Sequence, residues 1–589
     1  MTSRRTFAGA LAILAAAVVA TSCAPSARSP GASPGQPQPE SQPARKKVLN
    51  MGLRTIIDAF SIAGSSTTSG GGLSYIEIHS QALFTSDKST GRPIPRLLAE
   101  HPSLDNGGLR VTDDGRMIAR YKLRQDVKWA DGASVTTKDM LFTYRVTQNP
   151  NMPIIDRGPA SLMDSIAAQD DQNFVINWKQ PYYLADALGL RAFWPLPAHL
   201  LESDYASMVE GQNDSLGFLA KPFWTSEYIH VGPFRLAEFT PGVSASFDAV
   251  DSYFLGRPRV DRIVVTQFAD PNTLFANVAS GAIDFGPDGV MEIENAVELK
   301  KRWDSDGGGR MYFGTGTTQF VSIQFDASVP DYHSVVADKR IRQALYQALD
   351  REAYAEVASA GIPDKAAHSM LPPDNPLHSY VKDAWKQRYP YDPTRSAAAF
   401  EEAGWRRGTD GMLANSAGQR LKLETRNTAG NDERSALVAD MWRRSGVDAE
   451  IFIVPAARVR DTQFRQQFPG IEITARGSQD SILTRLECGE QPTPQNRFSG
   501  NNRGHWCNPD YERLVSQYRG SLREAGQGQA IKAIQDLVLE ELPIMLMNYQ
   551  VAVVFARKGV TAFQDDFAGG SEAGRIYGTY SRNAHEWDM

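Results

Sequence analysis

Apolar and polar positions along this chain follow two periods, and segments of each kind interleave. In Ile118–Leu123, Ala119, Tyr121 and Leu123 face one way and Arg120 and Lys122 the other, the period-two pattern of a half-buried strand. Asp114-Gly115 just before it has the composition of a tight hairpin turn. Elsewhere the helical period takes over. Ile341, Ala344, Leu345, Ala348 and Leu349 share one face of a segment that predicts a helix from about Asp338 to Ser359. Asp392-Pro393 supplies an N-cap and a first-turn proline for a helix reaching about Ala403, with Gly404 as its stop. Asn508-Pro509-Asp510 opens another helix, whose Tyr511, Leu514, Val515 and Tyr518 fall at helical spacing. These stripes read as core faces, and the body as mixed α/β. The glycine triplets Gly70–Gly72 and Gly307–Gly309 mark joints, and no internal repeat is evident.

The first 47 residues break this pattern. Arg4 and Arg5 precede a 14-residue apolar run from Phe7 to Ala20, which ends in Thr21-Ser22-Cys23. A basic start, an apolar stretch and a small-residue zone describe an export signal, 1–22, removed at maturation; a retained anchor is the alternative. Residues 24–47 hold six prolines and almost nothing apolar, so they cannot bury enough surface to offset chain entropy. With Cys23 they read as a tether, 23–47. Gly31-Ala32-Ser33-Pro34-Gly35 within it matches the G-x-S-x-G pattern of hydrolases, but lacks the strand before and the helix after that such a nucleophile turn requires.

Composition narrows the functional classes. The chain has 589 residues, 42% of them apolar, and a formal net charge of −6. That length allows several packed cores and excludes disorder throughout. The N-terminal 47 residues carry six basic side chains and one acid; the remainder has 56 basic and 67 acidic residues, a balance of −11. A nucleic-acid binder needs a basic face, and no basic stripe interleaved with aromatics occurs here. Of three cysteines, Cys23 belongs to the tether, which leaves Cys488 and Cys507. An even pair in an oxidising compartment points to a disulfide. The alternative is a metal site with His505, but two Cys and one His without paired spacing make a weak zinc pattern, and no metal is expected.

The order of short motifs resembles the family 5 extracytoplasmic solute-binding proteins, the peptide-binding lipoproteins of ABC importers. The densest block runs from Asp114-Gly115 through Tyr121-Lys-Leu-Arg124 and Val127-Lys-Trp-Ala-Asp-Gly132 to Lys138-Asp139. Leu196-Pro-Ala-His-Leu200, Val231-Gly-Pro-Phe234, Tyr253-Phe-Leu-Gly-Arg-Pro258 and Ser280-Gly-Ala-Ile-Asp284 follow. Then come Arg340-Ile-Arg-Gln-Ala-Leu345, Ala348-Leu-Asp-Arg351, Tyr391-Asp-Pro393 and Glu541-Leu-Pro-Ile544. The likeness covers about residues 50–565. At the N-terminus, Ser3-Arg4-Arg5-Thr6-Phe7 resembles a twin-arginine signal, and Ala20-Thr21-Ser22-Cys23 resembles a lipobox whose Cys23 is acylated.

The resemblance implies a two-lobed α/β binding-protein fold with a hinged cleft and an extra α/β subdomain. Its boundaries map here to lobe I as 48–72, 228–316 and 546–589, the subdomain as 73–227, and lobe II as 317–545. Gly314–Thr318 and Leu542–Asn548 become the hinge. Peptide-binding relatives hold an extended ligand by main-chain hydrogen bonds, with an Asp on the ligand's α-amino group. Asp480 is the corresponding acid, in a shortened loop with Arg476, Gly477 and Ser478; Arg476 can pair with Asp480 or itself take a carboxylate. Asn427, Tyr549, Asn548, Arg54 and Asp58 are further cleft candidates, whereas Trp129, Trp178 and Trp194 read as core.

The expected function is capture of a di- or oligopeptide and its delivery to ABC permease subunits by a monomeric, lipid-anchored receptor on the outer face of the membrane, with no cofactor. The same fold binding an oligosaccharide, a haem or metal chelate, or a glycolipid head group is the alternative. A secreted hydrolase is the remote one: no HExxH occurs, and the acid pairs Asp170-Asp171 and Asp565-Asp566 read as solvated turns.

Overall fold

The computed structural model describes residues 46–589 except 61–71, 88–89, 155–157, 429–431, 460, 477–481, 497, 499 and 562–580. Ten strands form one mixed sheet: Val48–Leu53 (β1), Phe234–Thr240 (β2), Ser244–Ala249 (β3), Arg262–Gln267 (β4), Phe285–Gly286 (β5), Gly309–Ile323 (β6), Lys422–Thr428 (β7), Asp448–Val454 (β8), Ile471–Arg476 (β9) and Ile544–Arg557 (β10). Across the sheet their order is β8-β7-β9-β6-β10-β5-β1-β4-β3-β2. β10 is almost continuously apolar (IMLMNYQVAVVFAR), as a strand covered on both faces must be.

The two long central strands decide the architecture. β6 and β10 pair antiparallel from Gly309↔Arg557 to Ser322↔Ile544. β9 joins β6 only over Thr318–Ile323, and β5 joins β10 only at Phe555 and Ala556. Between these attachments, around residues 311–317 and 550–554, the sheet narrows to β6 and β10. Here Thr315 and Thr318 face Val551 and Tyr549, so Gly316 and Thr317 oppose the single residue Gln550: a β-bulge. A second shift follows between Gln319 and Phe320, where β10 carries the extra residue, Met547. A two-stranded, bulged bridge is the part of such a sheet that bends most easily; it includes Gly314–Thr317 of the first segment expected to carry the hinge, whereas Leu542–Asn548 lies outside it, before β10 or opposite the part of β6 that β9 flanks.

Strand direction then fixes where a crevice forms. β1 runs parallel to β4 and β5, and β5 runs antiparallel to β10. β7 runs parallel to β8 and β9, and β9 runs antiparallel to β6. The carboxyl ends of both parallel groups therefore point at the bridge from opposite sides, the position where open α/β sheets take ligands.

The punctuation read from sequence is largely observed. Asp392 accepts from Thr394 N at 3.0 Å and Arg395 N at 2.9 Å to start Pro393–Glu402, and Asn508 does the same for Pro509–Gly520. The strand expected at Ile118–Leu123 is Met117–Lys122, hairpinned to Leu109–Val111, with Gly115 at φ 81° in the turn. One helix needs correction. Asp338–Ser359 is not continuous but two helices, Lys339–Gln347 and Arg351–Ala358. The carboxylate of Asp350 accepts from Ala353 N at 3.0 Å, so it caps a second helix rather than extending the first. The apolar stripe continues across the break, which is why periodicity does not reveal it.

Leu109–Val111, Met117–Lys122, Asn173–Trp178 and Met163–Ala168 form a separate four-stranded sheet. Its buried side chains, including Trp178, join one hydrophobic cluster with Trp129 and the β6–β9 half of the main sheet. The neighbouring helices, with Phe142 and Tyr205, join a second cluster with the β1–β5 half, and Trp194 is half-buried at its edge. Segment 73–227 thus shares its core with both halves. Gly232, in the Val231-Gly-Pro-Phe234 motif, lies against the His79 backbone: a Cβ there would sit 2.2 Å from the His79 carbonyl oxygen. No helix among the described residues is long and apolar enough to cross a membrane.

Candidate functional site

Pairing across the bridge brings several expected residues together. Arg476, the last residue of β9, is level with Thr318 on β6, and Thr318 is level with Tyr549 on β10. The next row is Ala475, Gln319 and Asn548. Asn427 is the penultimate residue of β7, one step beyond its last pairing with β9 at Glu472. Of these four expected residues, Asn427 and Arg476 lie at the carboxyl ends of β7 and β9, and Asn548 and Tyr549 lie on β10 next to the bridge.

Their chemistry differs. Asn427 is buried; its Nδ2 donates to Ser435 Oγ at 2.9 Å and its Oδ1 accepts from Thr428 N at 2.8 Å. Asn548 is buried on β10, and its Oδ1 has no hydrogen-bond partner among the described residues. Its neighbour Gln319 accepts from the Tyr354 hydroxyl at 2.6 Å, which leaves the Gln319 amide nitrogen as donor. The Tyr549 hydroxyl lies 2.8 Å from Ser369 O and 3.1 Å from Leu371 O, and burial raises its pKa well above the ordinary tyrosine value. It is a structural tie to the 369–371 segment in this conformation.

Arg54 and Asp58 lie just beyond the carboxyl end of β1, in a segment whose Ile57 bonds to Gln267 at the end of β4 and to Gly242 in the β2–β3 turn. The Arg54 guanidinium is ion-paired with Glu292, and Asp58 is exposed. The segment is held by Ile57 N donating to Gln267 Oε1 at 2.7 Å. Gly477, Ser478 and Asp480 lie outside the described residues, as does Cys23, and Arg476 is described only through its backbone.

The structure adds groups that sequence reasoning missed. Glu472 on β9 is fully buried between Arg465, at 2.6 Å, and Arg503, at 2.8 Å. Burial pushes its carboxyl up, but Arg503, Arg465 and Arg485 outweigh this and hold it below its ordinary value. Arg485 donates to Thr474 Oγ1 at 3.0 Å and Asn501 O at 2.7 Å, fastening the segment after β9 onto the sheet. Cys488 and Cys507 form the expected disulfide, with Cα atoms 4.8 Å apart, in the same segment. His505 instead faces Gln466 Oε1 at 2.9 Å, and no group of three His, Cys, Asp or Glu among the described residues is placed to hold a metal ion. A short strap, Lys365–Ala367, also lies on β10: Tyr549 N donates to Lys365 O at 2.7 Å and Ala367 N to Met547 O at 3.0 Å. No periodicity marks that strap, because it is an irregular segment entered through Ala360 and Asp364, both at positive φ.

Residues 92–476 match the family described as bacterial extracellular solute-binding proteins, family 5 Middle. The chain belongs to this family. Among curated family 5 relatives, the oligopeptide-binding protein AppA of Bacillus subtilis is 24% identical over 348 residues, 58% of this chain and 59% of the relative. The chain thus matches about three-fifths of that relative's length. Among solved structures, the oligopeptide-binding protein of Thermus thermophilus with a pentapeptide superposes at a TM-score of 0.71 and 23% identity, covering 92% of this chain and 96% of that one. NikZ of Campylobacter jejuni with Ni(L-His) superposes at 0.70 and 18% identity, covering 92% and 100%. These structural neighbours share the two-lobed periplasmic-binding-protein fold of family 5 solute-binding proteins, so the halves of the sheet on either side of the bridge correspond to two lobes.

Proposed function

We propose that this protein is a receptor that captures a di- or oligopeptide between its two lobes and delivers it, chemically unchanged, to the permease subunits of an ABC importer. The observation that carries this reading is the convergence of two sets of strand ends on a bulged two-stranded bridge, in a chain of the solute-binding family. Closure about such a bridge encloses an extended ligand, and main-chain groups at strand ends supply hydrogen bonds that do not depend on the ligand's side chains. In this reading Asp480 anchors the α-amino group, with Arg476, Gly477 and Ser478 around it. Asn427, Asn548, Tyr549, Arg54 and Asp58 line the cleft.

Lobe I comprises 48–72, 228–316 and 546–589, lobe II 317–545, and the subdomain 73–227. The signal 1–22 is removed, Cys23 is acylated and 23–47 tethers a monomeric body to the outer face of the membrane. Mass spectrometry of ligand carried through native purification tests the reading, followed by titration with di- to pentapeptides under intrinsic fluorescence. Peptides are expected in the bound fraction; oligosaccharides alone, with no peptide response, refute it. Asp480→Asn is expected to weaken peptides with a free amino terminus at least tenfold and N-acetylated ones little. A second reading, a metal chelate as ligand, is favoured by the likeness to NikZ with Ni(L-His). Nickel with histidine therefore belongs in the same titration.

A further inference from the structure

Lys365 is placed unlike any other cation described near the bridge. Its backbone is fixed to β10 by the Tyr549 N bond to Lys365 O, and its Nζ crosses to Gly314 O on β6 at 3.1 Å. Gly314 is two residues before the bulge. The side chain is half-buried, and no carboxylate among the described residues lies within ion-pair distance of its ammonium. Arg54, by contrast, is paired with Glu292, and Arg465 and Arg503 with Glu472. One carbonyl satisfies one of three ammonium hydrogens and none of the charge, and a partly desolvated cation is costly without an anion. Burial accordingly lowers its pKa, against the opposing influence of Asp374 and Asp364 at longer range.

We propose that Lys365 is the anion anchor of the interlobe site and takes a carboxylate of the bound ligand at the bridge. The inference rests on the reading of the bridge as the floor of a ligand cleft, and gives that cleft a requirement the strand ends alone do not: a negatively charged group on the ligand. Because the ammonium also spans from the strap to β6, an engaged carboxylate contacts the bridge about which the lobes close. The carboxylate can belong to a peptide's C-terminus or to a chelating ligand, and the experiment separates these sources.

The test is isothermal titration of the whole mature protein, stripped of carried ligand, with trialanine, trialanine amide and nickel with histidine. Wild type, Lys365→Met and Lys365→Arg are compared, with circular dichroism confirming the fold of each. If a peptide is the source, wild type binds trialanine at least tenfold more tightly than its amide. Lys365→Met then reduces trialanine to the amide's affinity and leaves the amide unchanged, and Lys365→Arg restores most of the preference. If only nickel with histidine binds, the chelate supplies the carboxylate, and Lys365→Met must weaken it tenfold. An unchanged acid-to-amide ratio in Lys365→Met overturns the anchor, as does equal weakening of both peptides, which is the signature of a hinge strut. Binding of none of the probes by wild type removes the cleft reading itself, and the anchor with it.

Discussion

Replacing His230 with Asn is expected to abolish one proton's worth of acid sensitivity. His230 is buried beneath Trp129 and Trp194, with ring centroids 5.4 and 6.1 Å away. Its Nε2 faces Pro195 O at 3.0 Å, which can only accept, so Nε2 carries the hydrogen. Its Nδ1 accepts from Val231 N at 2.7 Å and Gln81 N at 3.4 Å. Protonation would put a third N–H against two N–H donors in a buried space. Burial accordingly lowers the pKa from 6.5 to about 3, with the Pro195 bond opposing only in part. The unfolded chain therefore binds a proton that the folded one refuses. Stability from this group is complete above the unfolded value and is lost as pH falls toward the folded one, at about 1.4 kcal/mol per pH unit and about 2 kcal/mol between pH 8 and pH 5.

In the His230→Asn variant the amide oxygen can still accept from Val231 N, while nothing titrates. The assay is urea unfolding followed by tryptophan fluorescence at half-unit steps from pH 8 to pH 5. Wild type also carries His79, lowered in the same direction by burial and by His230, so the difference between the curves is the quantity to read. The variant starts weaker, by about 1 kcal/mol for the lost Pro195 bond, draws level with wild type at about pH 6, and is about 1 kcal/mol the more stable by pH 5. Parallel curves, within about 0.5 kcal/mol of a constant offset, refute the reasoning.

Three further outcomes are expected. Cys507→Ser opens a link between residues 19 apart and lowers stability by about 3 kcal/mol, read as a shift in urea midpoint that a reducing agent reproduces in wild type. Glu472→Gln leaves Arg465 and Arg503 buried without their counter-charge and costs about 3–5 kcal/mol; a thermal midpoint within about 2 °C of wild type contradicts that burial. Asp350→Ala removes the cap of Arg351–Ala358 and costs about 1 kcal/mol, whereas Asp350→Asn is close to neutral in the same melt.

Local chemistry makes much of the fold legible. Asp392, Asn508 and Gly115 act where they stand, because a cap or turn needs only neighbours within a few residues. Their positions can accordingly be read to within a residue. Asp350 is equally local, yet its cap is hidden by the apolar stripe that runs through it. The candidate site is legible in part: the order of motifs points to Asn427, Asn548 and Tyr549, and strand register brings them near the end of β9. Lys365, Gln319, Tyr354 and the Glu472 cluster are not legible, because each gains its meaning from partners far along the chain, such as Gly314 for Lys365 and Arg503 for Glu472.

Periodicity, composition and short motifs are enough to establish the alternation of strands and helices, the acidic balance of the residues after the first 47, and the likeness to a family of binding proteins. They do not establish that β6 and β10 alone join the two halves of the sheet, or that a bulge interrupts them at Gly316 and Thr317. Nor do they divide segment 73–227 between two cores; the folded chain does that. Strand pairing joins residues more than 200 positions apart, and its register depends on which faces both partners bury, so no local pattern carries it. The bulged bridge between the two halves of the sheet is a product of that pairing.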